Sequence, residues 1–437
     1  MKRETRHQQC KLNQIMRTAL LHLLLTLSVS KVGSFSVRGI NSGASGAWRG
    51  LKNSYTMMMM TTTRVRSAGA GIVERIQACN RAPSSPLLPF AVESSAGERI
   101  VHGCVPEKVA EAVGGASEGL VVDDPGGVGE GKQKKVLLLK RGSLSDQNRA
   151  LELACKQLKS AGMTKAWRDE LVPACKSYAE LLKQCEEGGN GGGAGLRNSE
   201  YRGLEIERGC AALFGIPSYG VHVNGYCETE SGEIMLWVAT RSLTKGVCPG
   251  MLDNFVAGGV NTEDLNLLNN VIRECEEEAG VPLEYSKNAI PTGLVSYSGL
   301  DDWCYESCQS KSTGSQNGDG GAGGGGGGEG AGVPSGYKND VLFTYDIKLP
   351  ADFAPKAVDG EVQSFKLMTM EEVLETLETD ASNPYNNWKA NSAIVVADFL
   401  IRRGVLKPES CRELYYDIAT SLRQGEAKLI WIEKLAK

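Results

Sequence analysis

Three glutamates, Glu274, Glu277 and Glu278, stand at i, i+3 and i+4 inside the segment Gly258–Val281 (GGVNTEDLNLLNNVIRECEEEAGV), the densest acidic cluster of this 437-residue chain. On a helix that spacing places three carboxylates on one face, about a turn apart. Like charges so placed repel, and only Arg273 lies nearby in sequence to offset them. A divalent cation would neutralise the cluster. Mg2+ takes hard oxygen ligands from a few carboxylates and leaves its remaining positions to water and substrate phosphate. The plainer reading of the same residues is a solvated acidic helix face.

The elements that must position these groups are legible around them. From Leu265 to Ala279 there is no Gly or Pro, and Leu268, Val271, Ile272, Cys275 and Ala279 recur at helical spacing. The pattern predicts an amphipathic helix over 265–279. Thr262 or Asn261 is expected to cap it, with Glu263 and Asp264 in the first turn and Gly280 just past the last. Before the helix, Gly258 and Gly259 would let the backbone approach a phosphate, although a glycine pair is as often simply a turn.

Gly259, followed at the right distances by Arg273, Glu274, Glu277, Glu278, Gly280 and Val281, resembles the Nudix box, Gx5Ex7REUxEExGU with U aliphatic. Seven of its nine restricted positions match. The first glutamate of the pattern falls on Leu265, and Cys275 stands at an aliphatic position, where it can pack as a small hydrophobe. Leu265 removes a carboxylate that in the family orders the loop and pairs with the arginine, so Arg273 is expected to turn to Glu263, Asp264 or Glu277. The resemblance implies an α/β fold, the Nudix α/β/α sandwich with a mixed sheet. It implies Glu274, Glu277 and Glu278 as ligands of Mg2+, with Mn2+ as the substitute, and Arg273, Glu277 and Glu361 as catalytic groups. Glu361, in DGEVQSF, resembles a position that often supplies an extra ligand or base; its other reading is a solvated turn glutamate.

The flanks narrow the resemblance. ERIQACNRA, FGIPSYGVHVNGY, CPGMLDNFVAGG, AIPTGLVSYS, the segment from Asp340 to Met368 and ADFLIRRGVL are similar to two-domain Nudix proteins of plants and fungi that are loosely named after thiamine pyrophosphokinase. That group implies hydrolysis of thiamine diphosphate, with preference for its oxidised, damaged forms, to the monophosphate and phosphate. The box alone equally admits another nucleoside diphosphate linked to X, such as ADP-ribose or coenzyme A, or a binding module with a decayed box. A kinase would need a phosphate-cradling loop of the GxxxxGK[ST] kind, and the sequence has none.

Tyr219, Tyr226, Trp237 and Trp303 could stack on a ring, but each reads more simply as core. His222, on an apolar strand, reads as a hydrogen-bonded core histidine.

The chain divides into a leader (1–70), an N-terminal α+β domain (71–214), the Nudix domain (215–405, with a Gly-rich insert at 309–336) and a C-terminal helical extension (406–437). In the first domain a helix is expected at Val73–Ala78, strands at Leu87–Val92, Ile100–Val105 and Lys135–Arg141, a Gly- and Asp-rich loop at Gly114–Gly131, and helices at Ser145–Ser160, Trp167–Cys185 and Leu204–Leu213. In the second, Gly220–Tyr226 and Glu233–Arg241 form a hairpin, with strands at Leu252–Ala257, Ala289–Tyr297, Asp340–Ile347 and Glu361–Leu367. Helices at Met370–Thr379, Ser392–Arg402 and Glu409–Arg423 close the chain. A further Gly-rich insert, EEGGNGGGAGLR, comes after Cys185.

Between Glu4 and Glu74 there is no acidic residue, and Ala19–Val29 is an apolar run of signal-peptide length. The Ser-, Thr-, Gly- and Arg-rich stretch from Gly33 to Arg66 resembles a plastid transit peptide, with Phe35 at the position after signal cleavage. Plastid import is the expectation; secretion is the alternative. The net charge of −4 carries no basic footprint, so no nucleic-acid partner is expected, and no membrane partner for the mature form. The partner is a small-molecule diphosphate. Thirteen cysteines without regular spacing argue for thiols in a reducing compartment rather than a disulfide framework, and Cys304 with Cys308 lacks a matching second pair for zinc.

Overall fold

The computed structural model describes residues 70–424 apart from 84, 125–134, 165–166, 187–202, 302–333, 378–386 and 412. The leader, Trp303, Cys304, Cys308 and nearly all of both Gly-rich inserts lie outside the described residues. Helix α1 (70–79) opens the described chain. Then come β1 (Leu87–Glu93), β2 (Arg99–Pro106), α2 (Glu107–Val113), β3 (Leu120–Asp123), β4 (Val136–Leu139) and α3 (Leu144–Ser160). They are followed by β5 (Leu171–Pro173), α4 (Tyr178–Glu186), β6 (Glu205–Glu207), α5 (Arg208–Ala211) and a 3-10 turn, Ala212–Phe214. Next are β7 (Pro217–Glu228), β8 (Ile234–Arg241), β9 (Leu252–Asp253), β10 (Val256–Gly259), α6 (Leu267–Ala279) and α7 (Leu283–Ser286). The chain ends with β11 (Ile290–Leu300), β12 (Tyr337–Lys348), β13 (Val362–Thr369), α8 (Met370–Leu377), α9 (Ala390–Arg402), α10 (Pro408–Cys411) and α11 (Glu413–Ser421).

Two mixed sheets organise these elements. The first runs β2-β1-β4-β3, with β1 and β4 parallel and the other pairs antiparallel. The second runs β11-β12-β7-β8-β13, with β10 beside β7 and β9 beside β8. Its only parallel pairing among the described residues is β12 with β7. A left-handed Gly215 (φ 59°), lying against the Cys104 backbone, leads the chain from the first core into β7.

Alternation along β7 explains the layering. Tyr219, Val221 and Val223 point into one core with Val271, Cys275 and Ala279 of α6, while Tyr226 joins the core built with α9 on the opposite face. A strand buried on both sides needs a helix layer on each, which is the α/β/α arrangement expected. Every residue of α9 from Ala390 to Leu400 is buried, as a helix covered on all sides must be. Part of that cover is α1, whose Ile72, Ile76 and Cys79 join the α9 core. Its buried Arg75 donates to the carbonyl oxygens of Gly71 (2.9 Å) and Leu377 (3.1 Å). No helix among the described residues is long and apolar enough to cross a membrane.

Several local expectations give way to the fold. The helix expected over Trp167–Cys185 is split into β5 and α4, because Pro173 can neither donate nor sit inside a helix. Leu204–Leu213 begins as β6, drawn out by pairing with β5 across a long insert that no local window spans. The loop over Gly114–Gly131 contains β3. The acidic helix starts at Leu267, so Glu263 and Asp264 precede it rather than forming its first turn, and neither Thr262 nor Asn261 is the cap. Asn266 caps it, its side chain accepting from the Asn269 N–H at 3.0 Å. Leu268 is exposed rather than part of the buried stripe. Gly280 does end the helix in the left-handed conformation, at φ 61°. Eight described cysteines are free and buried, but Cys248 is disulfide-bonded, against the expectation of thiols throughout.

Asn266→Ala is expected to lower the unfolding free energy by about 1 kcal/mol. Urea titration should show this as a lower midpoint with an unchanged slope.

Candidate active site

The glycine pair is the platform. β10 pairs antiparallel with β7, setting Gly258 opposite Val221 and Gly259 opposite Gly220, and α6 packs across both strands. A Cβ on Gly258 would lie 2.1 Å from the Glu274 carboxyl carbon, and one on Gly259 would lie 2.6 Å from Arg208 Nη2. A side chain at either position would have to push these groups aside. The two glycines therefore let the Glu274 carboxylate and the Arg208 guanidinium lie flat on the strand.

The three glutamates separate into two roles. Glu274 and Glu277 face the same guanidinium: Arg273 Nη2 is 3.0 Å from Glu274 Oε1, and Nη1 donates to Glu277 Oε2 at 3.1 Å. Glu278 points inward and is buried, accepting from the Ala257 N–H at 2.9 Å. Burial pushes the Glu278 carboxyl well above its ordinary range, and the neighbouring carboxylates push it further. Glu274 is raised chiefly by burial, which outweighs the attraction of Arg273. Among the described residues no three acidic, His or Cys side chains converge closely enough to hold a metal ion as they stand.

A cavity of about 600 Å³ opens in front of this edge, and Gly258, Gly259, Arg273, Glu274, Glu277 and Glu361 all line it. Glu278 lies behind the wall rather than in it. Glu361 reaches the cavity from the turn before β13 and is ion-paired with Lys245. Burial pushes the Glu361 carboxyl up, but the hydrogen bond and charge of Lys245 outweigh this and hold it below the usual carboxylate range. Arg208, at the start of α5, is ion-paired with Glu170 at 2.6 Å.

Arg208, Lys245 and Lys389 are cavity residues that sequence reasoning missed. They come from three remote segments and carry no motif, so no spacing signal could have found them. Lys389 sits at the head of α9, 3.6 Å from Asp253, which also pairs with Arg241 at 2.6 Å. Burial, reinforced by Arg241, brings the Lys389 ammonium down to about 8. Arg273 turns to Glu277, one of its expected partners, and also to Glu274 and the Asn270 side-chain carbonyl; no ion pair joins it to Glu263 or Asp264. Tyr219 and Tyr226 are buried core rings, Tyr226 lying beneath the Arg403 guanidinium. Trp237 packs against the core shared with α6.

His222 is buried, with Nδ1 2.7 Å from Asn254 Oδ1, and burial lowers its pKa to about 4. The unfolded imidazole takes up a proton near pH 6.5, the folded one only near pH 4, so stability falls as the pH drops through that window. His222→Gln is expected to flatten this part of the curve, read by unfolding titrations at several pH values across it.

No family model matches the chain. It is 32% identical over 359 residues to Nudix hydrolase 20, chloroplastic, of Arabidopsis thaliana, a match covering 82% of this chain and 78% of that protein. It is 35% identical over 223 residues to Nudix hydrolase 24, chloroplastic, of the same plant, covering 51% and 50%. Among solved structures it overlaps a MutT protein from Methanosarcina mazei at 18% identity and a TM-score of 0.24, covering 43% of this chain and 96% of that one; so faint an overlap adds nothing to the assignment. The first match runs at that identity through four-fifths of the sequence, and on it the chain belongs to the Nudix hydrolase family.

Proposed function

We propose that this Nudix hydrolase cleaves a small-molecule diphosphate with the help of Mg2+, for which Mn2+ can substitute, and that its substrate is thiamine diphosphate in oxidised, damaged form, released as the monophosphate and phosphate. The observation that carries the metal reading is the charge balance of the cavity. Among the described residues, seven cationic and seven acidic side chains line it. A cavity so balanced has no net attraction for a diphosphate until a further cation enters. The donor chemistry suits one, hard carboxylate oxygens on one helix face, and the side chains would have to turn toward a common point to hold it. Glu274 and Glu277 already face a single cationic centre, Arg273, and the buried Glu278 behind them has one N–H donor against its charge. Glu274, Glu277 and Glu278 would hold the ion, which when bound screens the diphosphate charge and activates water.

The rest is the work of the chain's own side chains. Arg208 and Lys245, both lining the cavity, meet phosphate oxygens, and Gly259 leaves room for Arg208. Arg273 holds Glu274 and Glu277 toward the cavity. Glu361, kept ionised at neutral pH by Lys245, is the group that takes the proton of the attacking water. The thiamine assignment is supported by the resemblance of the flanking segments. The two Arabidopsis relatives named as chloroplastic, with the stretch free of acidic residues between Glu4 and Glu74, support import into a plastid.

Phosphate release with Mg2+, from thiamine, oxothiamine and oxythiamine diphosphates beside ADP-ribose and coenzyme A, tests the substrate. Selective turnover of the oxidised thiamine forms is expected; preference for ADP-ribose or coenzyme A discards thiamine and keeps the hydrolase. Glu277→Gln and Glu278→Gln should each abolish Mg2+-dependent turnover with the fold retained, and wild-type rates in both would sink the metal assignment.

N-terminal sequencing of native protein should find a start between Ser34 and Gly71. Recovery of Met1 would refute the processed leader.

A further inference from the structure

We propose that Asn270 is the positioning residue of the site: it fixes Arg273 and, through Arg273, the directions of Glu274 and Glu277. The inference rests on the metal-dependent reading above. Asn270 lies in the first turns of α6 and is fully buried. Its amide is used at both ends. Nδ2 donates to the carbonyl oxygens of Asp264 at 2.7 Å and Asn266 at 2.9 Å, tying the loop after β10 to the helix. Oδ1 accepts from Arg273 Nη2 at 2.9 Å.

That one contact decides what the guanidinium can do. Arg273 is two-fifths exposed, and an arginine at the surface normally samples many rotamers. Anchored at Asn270, its planar fork stays where it can reach Glu274 and Glu277 together. In the box pattern a carboxylate at position 265 orders this loop and pairs with the arginine. Here Leu265 is buried in the core with Val271 and Cys275 and can do neither. Asn270, five residues further on and inside the helix, does both with a neutral group. A neutral anchor leaves the whole guanidinium charge to Glu274 and Glu277, so the two carboxylates stay together without a third beside them.

The test compares two isosteric variants of the full chain, reading Mn2+ binding by electron paramagnetic resonance and thermal unfolding separately. Asn270→Leu loses the anchor and both loop bonds. Asn270→Asp loses the loop bonds but keeps an oxygen facing Arg273. Both should unfold at lower temperature. Only Asn270→Leu should weaken Mn2+ binding, by about tenfold or more, as loss of an outer partner does. Equal Mn2+ affinities in the two variants would mean that Asn270 serves the loop alone, and the proposal would fall. Should Asn270→Leu not fold, Asn270→Ser takes its place: its shorter side chain removes the oxygen that Arg273 reaches, so it should weaken Mn2+ binding similarly, and an affinity equal to that of Asn270→Asp would overturn the proposal. Absence of Mn2+ binding in the wild-type protein would sink the metal reading and this inference together, whereas binding without a split between the variants sinks the inference only.

Discussion

Carboxylates of like charge cannot be crowded onto one helix face unless something holds them there, and in this chain the holding is done from both sides. Behind, the Ala257 N–H fixes Glu278; in front, one arginine spans Glu274 and Glu277. The glycine strand beneath leaves room for Glu274 over Gly258 and for Arg208 over Gly259. The layering follows from this demand. β7 is buried on both faces because α6 packs on one side of it and α9 on the other.

The charged floor of the cavity shows the same economy. Asp253 is buried between Arg241 and Lys389 and accepts from the Ser392 hydroxyl, so its carboxyl stays ionised despite its burial. Lys389 in turn gives up part of its hold on a proton. Such a cluster is costly to desolvate and is stable only when every member has a partner. It joins β8, β9 and the head of α9, and so fixes the distance between the sheet and the helix that closes the cavity.

Much of this was legible in the sequence, and the reason is locality. The box sits on one helix, so its spacing survives translation into geometry: Glu274 and Glu277 do share a face, and Gly280 does end the helix. The hairpin of β7 and β8 was equally readable, because its turn and its alternation are adjacent in sequence. What failed was non-local. β6 is a strand only because β5 lies beside it, and Arg208, Lys245 and Lys389 meet across the cavity from segments with no common pattern. The cap of α6 is hard to place from sequence because four candidate Asx and Thr side chains, Asn261, Thr262, Asp264 and Asn266, stand within six residues. Asn261 spends its oxygen on the N–H groups of Glu263 and Asp264, which leaves the helix to Asn266.

Helix α1 has a consequence for how the chain is made. Arg75 reaches Leu377 and Asn387, separated from it by 302 and 312 residues, and Ile72 and Ile76 lie in the core that α9 fills. The segment is thus made some three hundred residues before its partners. At a synthesis rate of about 5–20 residues per second, α1 waits for many seconds with its apolar face uncovered. The core on that face of the sheet can close only after those partners have followed, and two remote segments of one polypeptide meet to finish it.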